Sequence, residues 1–295
     1  MDRLIEKAAI LMEALPYIQE FRGSIVVVKF GGSVMEDPAK TRGVIRDIVF
    51  MECAGMRPVV VHGGGKAISA KVKEAGIEPQ FIQGLRYTCD ETIKVVDDVL
   101  HNQVNANLVE MMHSFRGHPL ALSGKEILEA ERKSATDPET GSEIDLGHVG
   151  SVTRVKTDKI HAALEAGHVP IITPLAAGTD GTLFNVNADM AACEIAAQLK
   201  ARKLVFLSDV PGILRDAADE DTLISTIYVR DIEKAIGDGT IGTGMVPKIR
   251  SAADAVKAGT SKVHMIDGRI QHYLLLEIFT KRGIGTQILT DGASC

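Results

Sequence analysis

Short runs rich in β-branched and other apolar residues punctuate the chain at residues 25–30, 58–62, 169–173, 204–208 and 262–266, and each gives way to a longer stretch with helical periodicity. In a run such as Ile25-Val26-Val27-Val28 no polar residue alternates with the apolar ones. A strand of that kind is apolar on both faces, and a sheet covered by helices on each side buries it. Helical patterns occupy 41–54, 67–75, 91–115, 158–166, 188–201, 247–258 and 271–281. Strand followed by helix, repeatedly, predicts stacked βα units and hence an α/β fold around an open, mainly parallel sheet. Strand-forming residues at 147–152 are read as a hairpin. Ligands of such open sheets bind beyond the carboxyl ends of the strands.

Ahead of the first strand, Leu4, Ala8, Leu11, Leu15 and Ile18 recur at helical spacing and predict an amphipathic helix that Pro16 should kink or divide. Its apolar stripe needs a partner, either its own domain or another subunit. No repeat, low-complexity tract or long linker interrupts the rest, so any boundary between lobes falls within continuous structure near residue 200.

Composition narrows the classes. The 295 residues are 45% hydrophobic and 24% charged, without tryptophan, which describes an ordinary soluble protein. A net charge of −6 weighs against nucleic acid as partner. Cys53, Cys89, Cys193 and Cys295 are scattered without a CxxC pair, so neither a zinc site nor a disulfide framework is indicated and a reducing cytoplasm is the expected compartment. Asp2, Arg3, Glu6 and Lys7 spoil a secretory segment, and no apolar run reaches the length of a membrane span.

Candidate chemistry gathers where strands end. Lys29 closes the first apolar run and is followed by Phe30-Gly31-Gly32-Ser33. A buried ammonium is costly without an anionic partner, and beside glycines that expose backbone N–H groups it suits a phosphate, although a tight turn with a snorkelling lysine has the same sequence. His62-Gly63-Gly64-Gly65-Lys66 opens directly into a helix, a second anion-binding arrangement. It is not a Walker A loop, since Val60 stands where the first glycine belongs and Ala67 follows the lysine. A dinucleotide fingerprint also fails, at Ile68. Arg86, in Gly84-Leu85-Arg86, offers a fork for a carboxylate, or is a surface residue. Asn185-Val186-Asn187-Ala188-Asp189 leads into a helix, where one short polar residue suffices as a cap and the others are free for other work. Leu207-Ser208-Asp209-Val210-Pro211-Gly212 is a further strand-to-loop corner. Gly244-Met245-Val246-Pro247-Lys248 places a lysine in the first turn of a helix, against the helix dipole unless a polyanion is near.

In order and spacing these six segments together resemble the acetylglutamate kinases of the amino-acid kinase family over nearly the whole chain. The Gly-Leu-Arg and Asn-Val-Asn-Ala-Asp pair is similar to this group rather than to the aspartate, glutamate and uridylate kinases. The resemblance implies a three-layer αβα sandwich with an acceptor lobe at 23–200, a nucleotide lobe at 201–295 and an oligomerisation arm at 1–22. It also implies transfer of a phosphoryl group from ATP to the side-chain carboxylate of N-acetyl-L-glutamate, a step of arginine biosynthesis. By the same resemblance Lys29 and Lys248 would neutralise the phosphoryl group in flight and Asp189 would hold both lysines. Gly31, Gly32 and Gly64 would donate to phosphate oxygens. Gly64, Gly65, Arg86 and Asn185 would form the acceptor site, and Ser208, Asp209, Gly212, Gly244 and Met245 would surround the nucleotide. Magnesium is expected to arrive on ATP, for no carboxylate cluster suits a protein cage. The N-terminal helix, with Tyr17, resembles the arm of the arginine-inhibited branch, whose members interlace dimers into hexamers. There Tyr17, His264, Glu277, Gly283 and Gly285 match an arginine site. A PII-type partner is left open, and related kinases of glutamate, aspartate or carbamate, or a silent nucleotide-binding regulator, remain the alternatives.

Overall fold

The computed structural model describes residues 1–137, 139–216, 218–280 and 283–291. Cys295 and the end of the helix expected to reach residue 281 therefore lie outside the described residues.

The five apolar runs all form strands: β1 (Ile25–Phe30), β2 (Arg57–His62), β8 (Val169–Ile172), β11 (Lys203–Ser208) and β13 (Val263–Asp267). With β5 (Pro119–Leu122), β12 (Thr226–Tyr228) and β14 (Thr286–Leu289) they make an eight-stranded sheet among the described residues, ordered β12-β14-β13-β11-β1-β2-β8-β5. Neighbours run parallel except β13 and β14. Central β1 carries Val26, Val27 and Val28 at 0% exposure, as a strand apolar on both faces requires. Strands from before residue 200 lie on one side of β1 and those from after it on the other.

Helices cover both faces. They are α1 (Asp2–Phe21), α2 (Pro38–Cys53), α3 (Gly65–Glu74), α4 (Asp90–Asp98), α5 (Ala106–Ser114), α6 (Gly124–Ile127), α7 (Asp158–Glu165), α8 (Ala188–Gln198), α9 (Ile232–Gly237), α10 (Val246–Lys257) and α11 (Tyr273–Ile278). Two apolar cores result, one on each side of the sheet, with Val27, Val59 and Phe206 in the first and Val26, Val28 and Val60 in the second. Among the described residues no helix is long and apolar enough to cross a membrane.

Three expectations are corrected. Of the two effects expected of Pro16, division does not occur: the first helix is continuous from Asp2 to Phe21. The residues near the carbonyl that Pro16 leaves unpaired are open to water, with Leu11 and Met12 at 70% and 63% exposure, so solvent satisfies it. The helix expected at 91–115 is interrupted by a π-helical segment, Val99–Asn105, between α4 and α5. The hairpin read at 147–152 has its turn elsewhere. Those residues lie inside β7 (Glu143–Val155), which pairs with β6 (Leu128–Thr136) across a turn where Gly141 N–H donates to the Asp137 carbonyl. Gly147 and Gly150 serve close packing: a Cβ on the first would meet the Thr88 carbonyl oxygen at 2.2 Å, and on the second the Phe184 Cβ at 2.7 Å. Strands β6, β7, β9 (Leu175–Ala177) and β10 (Leu183–Asn185) close a small ring beside the main sheet.

Only the C-terminal end of α1 packs on its own domain. Phe21 is buried and Tyr17 half-buried against the core, whereas Leu4, Ile5, Ile10, Leu11 and Met12 are more than 60% exposed. Arg202 lies over the Phe21 ring and pairs with Glu20, which fixes that end.

Candidate active site

The register of β1 with its neighbours sets Lys29 beside Phe206 of β11 and Phe30 beside His62 of β2, so the first two glycine-rich loops leave the same sheet edge side by side. Their backbones touch: Gly63 N–H donates to the Phe30 carbonyl at 2.7 Å, and a Cβ on Gly63 would lie 3.4 Å from the Gly31 Cα. Between them opens a cleft of about 1020 Å³, lined among others by Lys29, Gly32, Gly64, Gly65, Arg86, Asp189 and Asp209.

Asp189 reaches this cleft from the first turn of α8. Asn187 is the residue that caps the helix, accepting from the N–H groups of Asp189 at 2.8 Å and Met190 at 3.3 Å, which frees the aspartate side chain. One Asp189 oxygen lies 2.8 Å from Lys29 Nζ and the other 3.3 Å from Lys248 Nζ. Burial alone would lift this carboxyl, yet the two ammoniums hold it below the usual carboxylate value. Lys248 comes from α10, whose first turn contains Pro247, so residues from β1, α8 and α10 converge as one anion flanked by two cations.

The loop after β1 is set by Asp209. Its carboxylate accepts from Ser33 Oγ, and a Cβ on Gly32, which sits at φ +68°, would come within 3.1 Å of it. Gly31 also leaves room, since its Cβ would lie 3.0 Å from Lys29 Nζ. Across the cleft Gly64 is confined by Leu100, whose Cδ2 an added Cβ would meet at 2.6 Å, while Gly65 faces open space.

Arg86 ends a two-residue hairpin, β3 (Phe81–Ile82) to β4 (Leu85–Arg86), turned by Gln83 and Gly84, both at positive φ. The guanidinium stacks 4.7 Å over Phe81 and donates through Nη2 to the Gly65 carbonyl at 2.8 Å and Ser69 Oγ at 2.6 Å. Its Nη1 is buried without a hydrogen-bond partner among the described residues. A buried cationic fork with one arm unsatisfied is suited to a carboxylate.

Other expected residues stand elsewhere. Asn185 does not line the cleft; it donates to Thr88 Oγ1 at 3.3 Å, and Thr88 Oγ1 donates to the Arg86 carbonyl, so Asn185 backs the arginine from behind. Ser208 is buried with its hydroxyl unpartnered among the described residues. Gly212 packs against Thr286, Gly244 is exposed, and Met245 is half-buried on the core beneath α10; none of the three lines the cleft. Ser33 and Asn187 were legible only as members of their segments, and Asn105 was not singled out, because a short polar residue inside a predicted helix carries no signal of its own.

A second cavity of about 720 Å³ is lined by Tyr17, Phe21, Lys203, His264, Glu277 and Gly283, with others. Glu277 is 3% exposed, 2.5 Å from His264 Nδ1 and 4.0 Å from Lys203 Nζ, and accepts the Ile284 N–H at 2.9 Å. Burial pushes Lys203 down to about 8 and lowers His264, whereas the hydrogen bond and charge of His264, with Lys203 and the Ile284 N–H, overcome burial and hold Glu277 low. Gly285 is absent from this lining, because its missing side chain makes room for the Met265 carbonyl, 2.0 Å from where a Cβ would be.

The sequence profile described as "Amino acid kinase family" matches residues 24–267. The chain belongs to the amino acid kinase family. Curated relatives include the acetylglutamate kinase of Akkermansia muciniphila, 47% identical over 99% of this chain and 98% of its own, and that of Clostridium kluyveri, 45% identical over 96% and 98%. Among solved structures, N-acetylglutamate synthase from Neisseria gonorrhoeae complexed with coenzyme A and N-acetyl-glutamate superposes with a TM-score of 0.84 at 25% identity. The match covers 97% of this chain and 64% of that one. The same synthase complexed with coenzyme A and L-arginine gives a TM-score of 0.78 at 26% identity, over 96% of this chain and 65% of that one. The family agrees with the αβα sandwich seen here.

Proposed function

We propose that this chain transfers the γ-phosphoryl group of ATP to the side-chain carboxylate of N-acetyl-L-glutamate, giving the acyl phosphate and ADP, as a step of arginine biosynthesis. The observation that carries the reading is the Asp189 carboxylate held between Lys29 and Lys248 at the edge of the cleft that also contains Arg86. Full-length relatives named acetylglutamate kinase support the choice of acceptor.

Phosphoryl transfer asks for positioning and charge neutralisation more than for covalent chemistry. A carboxylate oxygen of the acceptor attacks the γ-phosphorus, the bond to the bridging oxygen of ADP breaks, and no proton has to move. Lys29 and Lys248 take the two sides of the moving group, and Asp189 keeps their ammoniums from drifting apart. Backbone N–H groups of Gly31, Gly32 and Gly64 meet the phosphate oxygens, and the free Nη1 of Arg86 pairs with the α-carboxylate of the acceptor. Magnesium travels with ATP as part of the substrate.

In this reading residues 23–200 form the acceptor lobe and 201–295 the nucleotide lobe of a cytoplasmic enzyme. The exposed apolar stripe of α1 joins dimers into a hexamer. Arginine acts as inhibitor in the second cavity, where Glu277 and Tyr17 stand; that the structurally similar synthase was solved with L-arginine supports arginine as a ligand. The test is ADP release with ATP and magnesium, offering N-acetyl-L-glutamate, glutamate, aspartate and carbamate separately, with and without arginine. Turnover with N-acetyl-L-glutamate alone, lost in Lys29→Ala, is expected. Turnover with another acceptor overturns the substrate, absence of turnover favours a silent regulator, and indifference to arginine removes the inhibitor.

A further inference from the structure

His62 and Asn105 are wholly or almost wholly buried polar residues, at 0% and 3% exposure, and neither has a role in the chemistry described so far. His62 ends β2 immediately before the three glycines. Asn105 is the last residue of the π-helical segment, a rare geometry that concentrates at functional positions. The Asn105 amide lies 2.8 Å from the Ile171 carbonyl of β8 and 3.1 Å from His62 Nε2. His62 Nδ1 lies 2.8 Å from the carbonyl oxygen of Gly63.

The proton positions follow from chemistry. A carbonyl accepts only, so Nδ1 of His62 carries hydrogen and donates to Gly63, and Nε2 must then accept from the second N–H of the Asn105 amide. Burial drives the His62 pKa down to about 4, so the ring is neutral and this single tautomer holds. In a planar trans peptide the N–H points away from the C=O. Fixing the Gly63 carbonyl on the imidazole therefore turns the N–H of the same peptide, that of Gly64, to the opposite side. The π segment also delivers Leu100 and Val104 against Gly64, at 2.6 Å and 3.7 Å from where a Cβ would stand.

Resting on the kinase reading above, we propose that His62 and Asn105 are positioning residues: held by the π-helical turn, they lock the Gly63–Gly64 peptide so that the Gly64 N–H is presented to the substrate phosphate. Neither side chain touches substrate. The device is a relay from a β8 carbonyl through an amide and an imidazole to one backbone peptide, and a flip of that peptide would aim a carbonyl oxygen where a donor is needed.

Two substitutions separate this role from simple packing. In His62→Asn the side-chain amide nitrogen can occupy the Nδ1 position and keep the donor to Gly63. In His62→Gln the polar group reaches toward Asn105 and the donor to Gly63 is lost. His62→Gln is expected to lower kcat on the order of 100-fold, as misplacement of a catalytic donor does, with KM for N-acetyl-L-glutamate little changed, while His62→Asn recovers most of kcat. Equal kcat losses in both variants, or losses that follow thermal stability alone, overturn the proposal. Should both fail to fold, the native enzyme still decides: ring ¹⁵N shifts of His62 must report the Nδ1–H tautomer, and the Gly64 amide resonance must move on adding AMP-PNP with magnesium. An Nε2–H tautomer or a static Gly64 resonance contradicts the relay. Because these spectra need no acceptor, they stand apart from the turnover assay, whose failure would sink the kinase reading alone.

Discussion

Asp189 and Glu277 each stand between two basic side chains, Lys29 and Lys248 for the first, His264 and Lys203 for the second. Their surroundings separate them. The Asp189 cluster opens on the cleft, with Lys248 at 24% side-chain exposure, and sums to one positive charge in excess. The Glu277 cluster borders the second cavity but its side chains are nearly covered: that of Glu277 is 3% exposed, that of His264 5% and that of Lys203 10%. Burial lowers the pKa of His264 below the usual value and that of Lys203 to about 8, so at neutral pH one anion balances one cation. Surplus positive charge beside a cavity suits a phosphoryl group; a charge-balanced buried cluster ties elements together, here β11, β13, α11 and the turn at 283–286. In the proposed reading the same residue types serve phosphoryl transfer in one place and tie elements together beside the inhibitor cavity in the other.

The largest contrast should come from the lysines. Lys248→Ala is expected to cut kcat on the order of 1000-fold, the size of losing an electrostatic contact made in the transition state. Lys203→Ala should leave kcat unchanged and register in the melting temperature instead. Steady-state kinetics beside a thermal melt reads both, and similar kcat losses would erase the distinction.

Glycines sharpen it next. Gly285→Ala places a Cβ 2.0 Å from the Met265 carbonyl oxygen and should lower unfolding stability by about 3 kcal/mol in urea, with the kcat of the folded fraction intact. At Gly65 nothing lies within 4 Å, so Gly65→Ala should change stability by less than about 0.5 kcal/mol and act, if at all, through acceptor binding.

The smallest effect is a pH dependence. Lys203 titrates near 8 when folded and near 10.5 when unfolded. Between those values the unfolded chain holds the extra proton, so the deficit is full below pH 8 and shrinks as pH rises, by about 2 kcal/mol from pH 8 to pH 10. Urea unfolding at the two pH values should show this rise in the native protein and lose it in Lys203→Met. An identical rise in both would assign it to other groups.

The buried parallel strands were legible because a strand covered on both faces has no choice but an unbroken apolar run, as in Val26-Val27-Val28. Strand β6 was not, since Glu131 and Arg132 face water and half-exposed Glu129 and Lys133 dilute the pattern, and β7 was read only at 147–152, with its turn misplaced. Lys29, Asp189, Lys248 and Arg86 could be singled out where charged side chains interrupt strand ends and helix starts. The Asn105 contact to His62 spans 43 residues and depends on a π turn that has no compositional mark. The absence of Gly212, Gly244 and Met245 from the cleft lining likewise follows from packing against Thr286, exposure and the core beneath α10.

The central claim is that one carboxylate holds two ammoniums ready for the phosphoryl group, and the most direct measurement is kcat and KM for ADP release by Asp189→Asn with ATP, magnesium and N-acetyl-L-glutamate. The substitution keeps the side-chain shape and removes the charge. A fall in kcat on the order of 100-fold, with both KM values little moved, is the predicted result. An unchanged kcat, or a loss carried entirely by a raised KM, would contradict it.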